Sequence, residues 1–242
     1  MATDSGRLVP TLHEAERTIQ NIAQSRGSYT EAFRREAQEA ADRGDNRILQ
    51  LIQGYEEFKS IAARSLQIIS EDLFTCNARF LMEIIQNADD NQYHENSEPS
   101  LTIAVYPNAV RIGSNEKGYT EDNIVSLCRV GKSTKPVGHG YTGEKGIGFK
   151  SVFKIARKAH IRSHPYYFEL DKDRELGMIT PQWDREYFGV RGSVQTAIVL
   201  EGPTSEPHNF SLLLGKPSCR DSPCHNSFPP SAETLAHIPL RQ

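Results

Sequence analysis

The chain predicts a mixed α/β or α+β fold, and three observations carry that prediction. Apolar residues recur at helical spacing through most of the first ninety residues, short β-rich runs lie between Leu101 and Leu200, and a glycine-rich stretch at 131–148 separates two groups of those runs. A length of 242 residues, with 37% hydrophobic and 24% charged side chains, is enough for one compact core with loose ends.

The elements follow in order. Thr11-Leu-His-Glu14 and Ser28-Tyr-Thr-Glu31 each have the spacing of a capping box, so two or three charged helices should open the chain. Between Asn46 and Ser70, Ile48, Leu51, Ile52, Tyr55, Phe58 and Ile61 mark a helix whose apolar face is expected to be core, with Gly54 a weak point. A further helix is expected from Asn77 to Asn91, with Phe80, Leu81, Ile84, Ile85 and Ala88 as its apolar stripe. Leu101–Tyr106 and Ala109–Ile112 read as strands joined at Pro107-Asn108, and Glu121–Val130 as a short helix. After the glycine-rich stretch, helix is expected over Phe149–Ala156, then strands at His160–Ser163, Tyr166–Leu170 and Thr196–Leu200, with Trp183 anchoring the intervening loop. Seven of the 13 prolines fall after residue 200, which predicts a weakly ordered tail.

Charge and cysteine usage narrow the function. The net charge of -3 provides no chain-wide basic field for nucleic acid, and no apolar run is long enough to span a bilayer. The start, Met1-Ala2-Thr3-Asp4, lacks a hydrophobic signal core, so an intracellular protein, cytoplasmic or nuclear, is expected. Cys76 and Cys128 fall in apolar helical segments and read as reduced, packed thiols. Cys219, Cys224 and His225 lack the second half of a zinc site.

Two segments can carry chemistry. Glu83, Asn87 and Asp90 stand at i, i+4 and i+7, aligned along one helix face. Such a row is commonly a solvated face, but an amide oxygen one turn from a carboxylate also suits a hard cation and an activated water. Gly143-Glu-Lys-Gly-Ile-Gly148-Phe-Lys-Ser runs from loop towards helix, where glycines let backbone N–H groups approach an anion. A P-loop is excluded, because GxxxxGK[ST] spacing ending at Lys132-Ser133 needs glycine at 126 and the chain has Ser126. A dinucleotide fingerprint is excluded too: the spacing is GxxGxG, with no acidic strand end about twenty residues on.

Glu83-x-x-x-Asn87-Ala-Asp-Asp90, Asn115-Glu-Lys-Gly118-Tyr-Thr, Gly131-Lys-Ser-Thr-Lys135 and Gly143-Glu-Lys-Gly-Ile-Gly-Phe-Lys-Ser-Val-Phe153, in that order, resemble the GHKL superfamily of ATPases. Their wording is most similar to the chaperone-like ATPase domain of sacsin and NO VEIN proteins. The resemblance covers about residues 60 to 200 and implies a Bergerat-type two-layer sandwich, a mixed and mostly antiparallel sheet with helices on one face. It divides the chain into an N-terminal helical extension at 1–59, a nucleotide-binding domain at 60–200 and a Pro/Ser-rich tail at 201–242.

The resemblance also implies roles. Glu83 matches the base that activates water and Asn87 the Mg²⁺ ligand. Asp90 lines the nucleotide pocket, Gly118 lies beneath the adenine, and Thr196 helps hold the adenine site. Lys132 lies near the phosphates, while Gly143, Gly146 and Gly148, with Lys145 among them, form the cradle of a closing lid. ATP and Mg²⁺ are the implied cofactors.

Two departures stand out. The family's adenine-reading Asp falls on Ser114, with Glu116 where a glycine is usual, so weak base selectivity is expected. Only residues 201–242 follow the domain, where related machines carry a transducer that completes the site, so slow hydrolysis is expected. A weak ATPase or nucleotide switch of chaperone-like type with a protein client therefore competes with a non-hydrolysing interaction module. A histidine kinase ranks last, because no preceding helix pair offers a phosphoacceptor His.

Overall fold

In the computed structural model the described residues are 9–72, 79–106, 108–130, 148–185, 195–202 and 234–240. Helices α1 (Leu12–Gln24), α2 (Glu31–Asp42), α3 (Arg47–Asp72) and α4 (Arg79–Asp89) lead into the hairpin of β1 (Ser100–Tyr106) and β2 (Ala109–Ser114). Next come α5 (Glu121–Leu127) and a 3-10 helix at Gly148–Lys154. Strands β3 (Lys158–Ser163), β4 (Tyr166–Asp171), β5 (Gln182–Trp183), β6 (Thr196–Glu201) and β7 (Thr234–Pro239) complete the order.

Local chemistry sets the helix starts. Thr11 and Glu14 close the expected capping box on α1. The box expected at Ser28 does not form: Thr30 is the N-cap of α2 and accepts from the Phe33 N–H at 3.2 Å, two residues later than the pattern suggested. Thr120 and Asn123 make a reciprocal cap on α5. The segment expected as helix at 149–156 is instead a 3-10 turn ending at Lys154.

The sheet has the strand order β5-β4-β3-β6-β2-β1-β7, and each of these pairs among the described residues is antiparallel. Within the stretch expected to be a tail, β7 pairs along β1, from Ser100 opposite Pro239 to Val105 opposite Thr234. Register places residues in rows on the face that meets the helices. Ile103, Ile112, Ile198, Ile161 and Phe168 make one row, and Val105, Val110, Leu200, Ala159 and Leu170 another. Both rows join the core with Ile19 and Ile22 of α1, Phe80, Ile84 and Ala88 of α4, and Val152 and Phe153 of the 3-10 helix. Helix α1 thus shares the core of the sheet it precedes. Cys128 packs there as an unoxidised, buried thiol. Trp183, expected in a loop, instead lies in β5 opposite Phe168 and meets Tyr167 edge-on with ring centroids 5.9 Å apart.

The opposite face is charged. Lys158, His160, Glu169, Asp171 and Glu201 lie close together there, and His160 Nδ1 is 2.9 Å from Asp184. Burial alone would lower the His160 pKa, but hydrogen bonds to Asp184 and Glu201 raise it to about 9. Helices therefore form one layer against one sheet face, a two-layer α+β sandwich.

The expected core stripe on α3 is divided. Ile52 and Leu66 are buried on its inner side, whereas Leu51, Phe58 and Ile61 are 74%, 67% and 61% exposed. The inner side is held by Lys59, which bridges Glu56 at 3.0 Å and Glu175 at 2.8 Å. Two amphipathic faces share this one helix.

Candidate functional site

A third row crosses the helix-facing side of the sheet: Leu101, Ser114, Thr196, Ser163 and Tyr166, in register through β1, β2, β6, β3 and β4. Where the neighbouring rows are aliphatic or phenylalanine throughout, this one carries the hydroxyls of Ser114, Thr196 and Ser163 side by side, followed by Tyr166. Ser114, Thr196 and Ser163 are buried, and the Ser163 and Thr196 hydroxyls are 2.7 Å apart. A polar row at the end of an apolar sheet needs partners.

The partners come from the two segments that flank the row. Tyr93, beyond α4, donates to the Ala88 carbonyl at 2.7 Å and stands 3.1 Å from the Ser114 hydroxyl. The turn after β2 crosses over the row: the Tyr119 N–H donates to Ser163 at 2.6 Å and the Glu116 N–H to Ser114 at 3.4 Å. Asn115 clamps the start of β1, accepting from the Ser100 N–H and donating to the Glu98 carbonyl, each at 2.8 Å. Gly118 has φ of 96°, a conformation that favours glycine, and a Cβ there would meet Ser163 and Gln195 at 3.4 and 3.5 Å.

Glu116 is the residue that sequence reasoning missed. It is 2% exposed, its Oε2 accepts from the Asn91 amide, and its Oε1 has no hydrogen-bond partner among the described residues. Burial raises its pKa, and hydrogen bonds from Thr196 and Asn91 offset this only in part. The expectation of weak base selectivity rested on Ser114 having no carboxylate. The structure puts a carboxyl group two residues further on, above the same hydroxyl row. The available signal was an acid, Glu116, two residues before Gly118, where the resemblance implies a glycine.

Helix α4 supplies the other wall. Glu83 and Asn87 are one turn apart and half-buried, while Asp90 is exposed just beyond the helix end, so the three do not share one environment. Glu83 lies against the backbone of Gly148: a Cβ added at Gly148 would overlap the carboxylate. The structure thus brings together Glu83 and Gly148 from sequence-distant segments. Ser114, Gly118 and Thr196 gather at the end of the sheet. Lys132, Gly143, Lys145 and Gly146 lie outside the described residues, as do Cys76, Cys219, Cys224 and His225.

Lys150, two residues after Gly148, is 2% exposed and structural. Its ammonium donates to the carbonyls of Leu127 and Met178, tying the 3-10 helix to α5 and to the loop after β4. Burial pulls its pKa down to about 8. Among the described residues no group of three His, Cys, Asp or Glu is placed to hold a metal. Nor is any helix there long and apolar enough to cross a membrane.

Comparison with known proteins relates part of the chain to a plant protein. Over 119 residues, 49% of this chain, the sequence is 42% identical to a curated plant protein. That relative is Protein NO VEIN of Arabidopsis thaliana. The chain spans only 4% of the length of NO VEIN, so the similarity concerns one segment of a much larger protein. No family model matches the chain.

Proposed function

We propose that residues 60–200 bind ATP with Mg²⁺, between α4 and the hydroxyl row of the sheet, as a slow ATPase or nucleotide switch. The observation that carries this reading is that α4 and the segment just after it connect two chemistries, since Ala88 of α4 holds Tyr93 against Ser114 and Asn91 reaches Glu116. Glu83 meets the Gly148 backbone at one side, and the buried Glu116 carboxyl has an oxygen free among the described residues at the other. The resemblance of the four motifs to GHKL ATPases supports the same assignment.

In this reading the base is recognised by Glu116, which accepts from an exocyclic amino group while Ser114 and Thr196 orient it. Guanine would present a carbonyl at that point and leave two acceptors facing each other. Asn87 offers a neutral oxygen to Mg²⁺, which keeps most of its sites for phosphate and water and so needs no dedicated protein cage. A bound ion there would neutralise phosphate charge. Glu83 takes a proton from the attacking water, and Gly148 keeps the backbone close enough to that carboxylate to seat the phosphate end. The N–H groups of the preceding glycine stretch are proposed to donate to the phosphates.

Calorimetric titration with ATP, ADP and GTP, each with and without Mg²⁺, tests the reading. Selective binding of Mg²⁺-ATP that is lost in Asn87→Ala is expected, with turnover lost but binding kept in Glu83→Ala. No heat at millimolar nucleotide would refute it and leave the interaction module as the better account, which the exposed face of α3 favours.

A further inference from the structure

We infer that the exposed face of α3 is a self-association surface, on which a second copy of this chain docks its own α3 in antiparallel orientation. The face is built at heptad spacing. Leu51, Phe58 and Ser65 stand seven apart, as do Gly54, Ile61 and Ile68. Leu51, Phe58, Ile61 and Ile68 are 58–74% exposed, whereas the inner side of the same helix already packs through Ile52, Lys59 and Leu66. Four large apolar side chains aligned along one solvent-facing stripe are unusual for a surface without a partner.

The pattern selects the partner because it complements itself. A two-fold axis midway between Phe58 and Ile61 puts Phe58 beside the partner's Ile61 and Leu51 beside the partner's Ile68. It also sets Gly54 against the partner's Ser65, two small residues that let the helices approach. The same axis brings Glu57 to the partner's Arg64, and symmetry repeats the contact. Glu57 and Arg64 are both exposed at the margin of the stripe, and neither makes an ion pair among the described residues. In a parallel, in-register pair Gly54 would stack on glycine, leaving a gap, and Glu57 would face Ala62. Only the antiparallel arrangement satisfies size and charge together.

The test is sedimentation equilibrium of the whole chain between about 1 and 500 µM. A dimer is expected. Phe58→Ser with Ile61→Ser should weaken it at least about a hundredfold, because these residues form the central layer. Glu57→Arg or Arg64→Glu alone should weaken it about tenfold by setting like charges together, and the double reversal should return affinity to within about threefold of the parent. The two charge variants are at exposed positions and keep the test valid should the apolar variant misfold. A monomer throughout the range overturns the proposal, as expected if another segment or another protein covers this face. A dimer indifferent to Phe58 and Ile61 overturns it as well. Failure of the double reversal to rescue overturns the antiparallel arrangement.

Discussion

Helices α3 and α4 carry similar apolar spacing and use it in opposite ways. In α4 the stripe of Phe80, Ile84 and Ala88 is 3–5% exposed and seated on the sheet, whereas in α3 the stripe through Leu51, Phe58 and Ile61 is open to solvent. Periodicity reports that a helix has an apolar face, and nothing in it says whether the covering surface lies in the same chain. The decisive difference is register against the sheet: α4 abuts the aliphatic rows and the 3-10 helix, while the inner contacts of α3 consume a different side of its circumference.

Urea unfolding of matched truncations should separate the two most widely. Ile84→Ala removes a side chain with fully packed neighbours and is expected to cost about 3 kcal/mol through the cavity it leaves. Next in size is Lys150→Met, on the element that α4 packs against. It leaves two carbonyls without their donor, at a cost of about 2 kcal/mol. Because the folded pKa of about 8 lies below the ordinary 10.5, the unfolded chain binds more protons between those values. This lysine therefore makes stability rise with pH across that window, and the rise should vanish in the Met variant.

Gly148→Ala sharpens the polar side of α4, since the new methyl overlaps the Glu83 carboxylate. A loss of about 1–2 kcal/mol is expected, and Glu83→Ala in the same background should recover most of it. Glu116→Gln is expected to act in the other direction, gaining about 1 kcal/mol at pH 7. Burial raises the folded pKa of Glu116, so the native state holds the proton longer and stability falls as pH climbs above the unfolded value of 4.5. The amide variant should flatten that decline in a pH series of melts while losing nucleotide selectivity. Smallest of all, Phe58→Ala in dilute protein should shift stability by no more than about 0.5 kcal/mol. A large loss there would dissolve the contrast between the helices.

The fold was legible wherever local pattern and tertiary partner agreed. The Thr11 cap, the β1–β2 hairpin, α4 and the strand cores appear where alternation and capping placed them. The Ser28 cap failed because Thr30 has the same chemistry two residues later, and the motif cannot choose between them. Strand β7 was hidden in proline-rich sequence, since an edge strand needs only one neighbour and its pairing partner is remote. At the site, Ser114, Gly118 and Thr196 were readable from motif order, but their union into one row is a matter of sheet register. Glu116 escaped because burial of an acid at a turn depends on what folds over it.

The pairing of β7 with β1 has a consequence for how the molecule is made. Ser100 must wait for Pro239, more than a hundred residues later, before its edge of the sheet is covered. On a ribosome, the chain up to β6 emerges with the backbone of β1 bare, beside the apolar Leu101, Ile103 and Val105. Until β7 arrives, the nascent protein carries an open template for pairing with its neighbours.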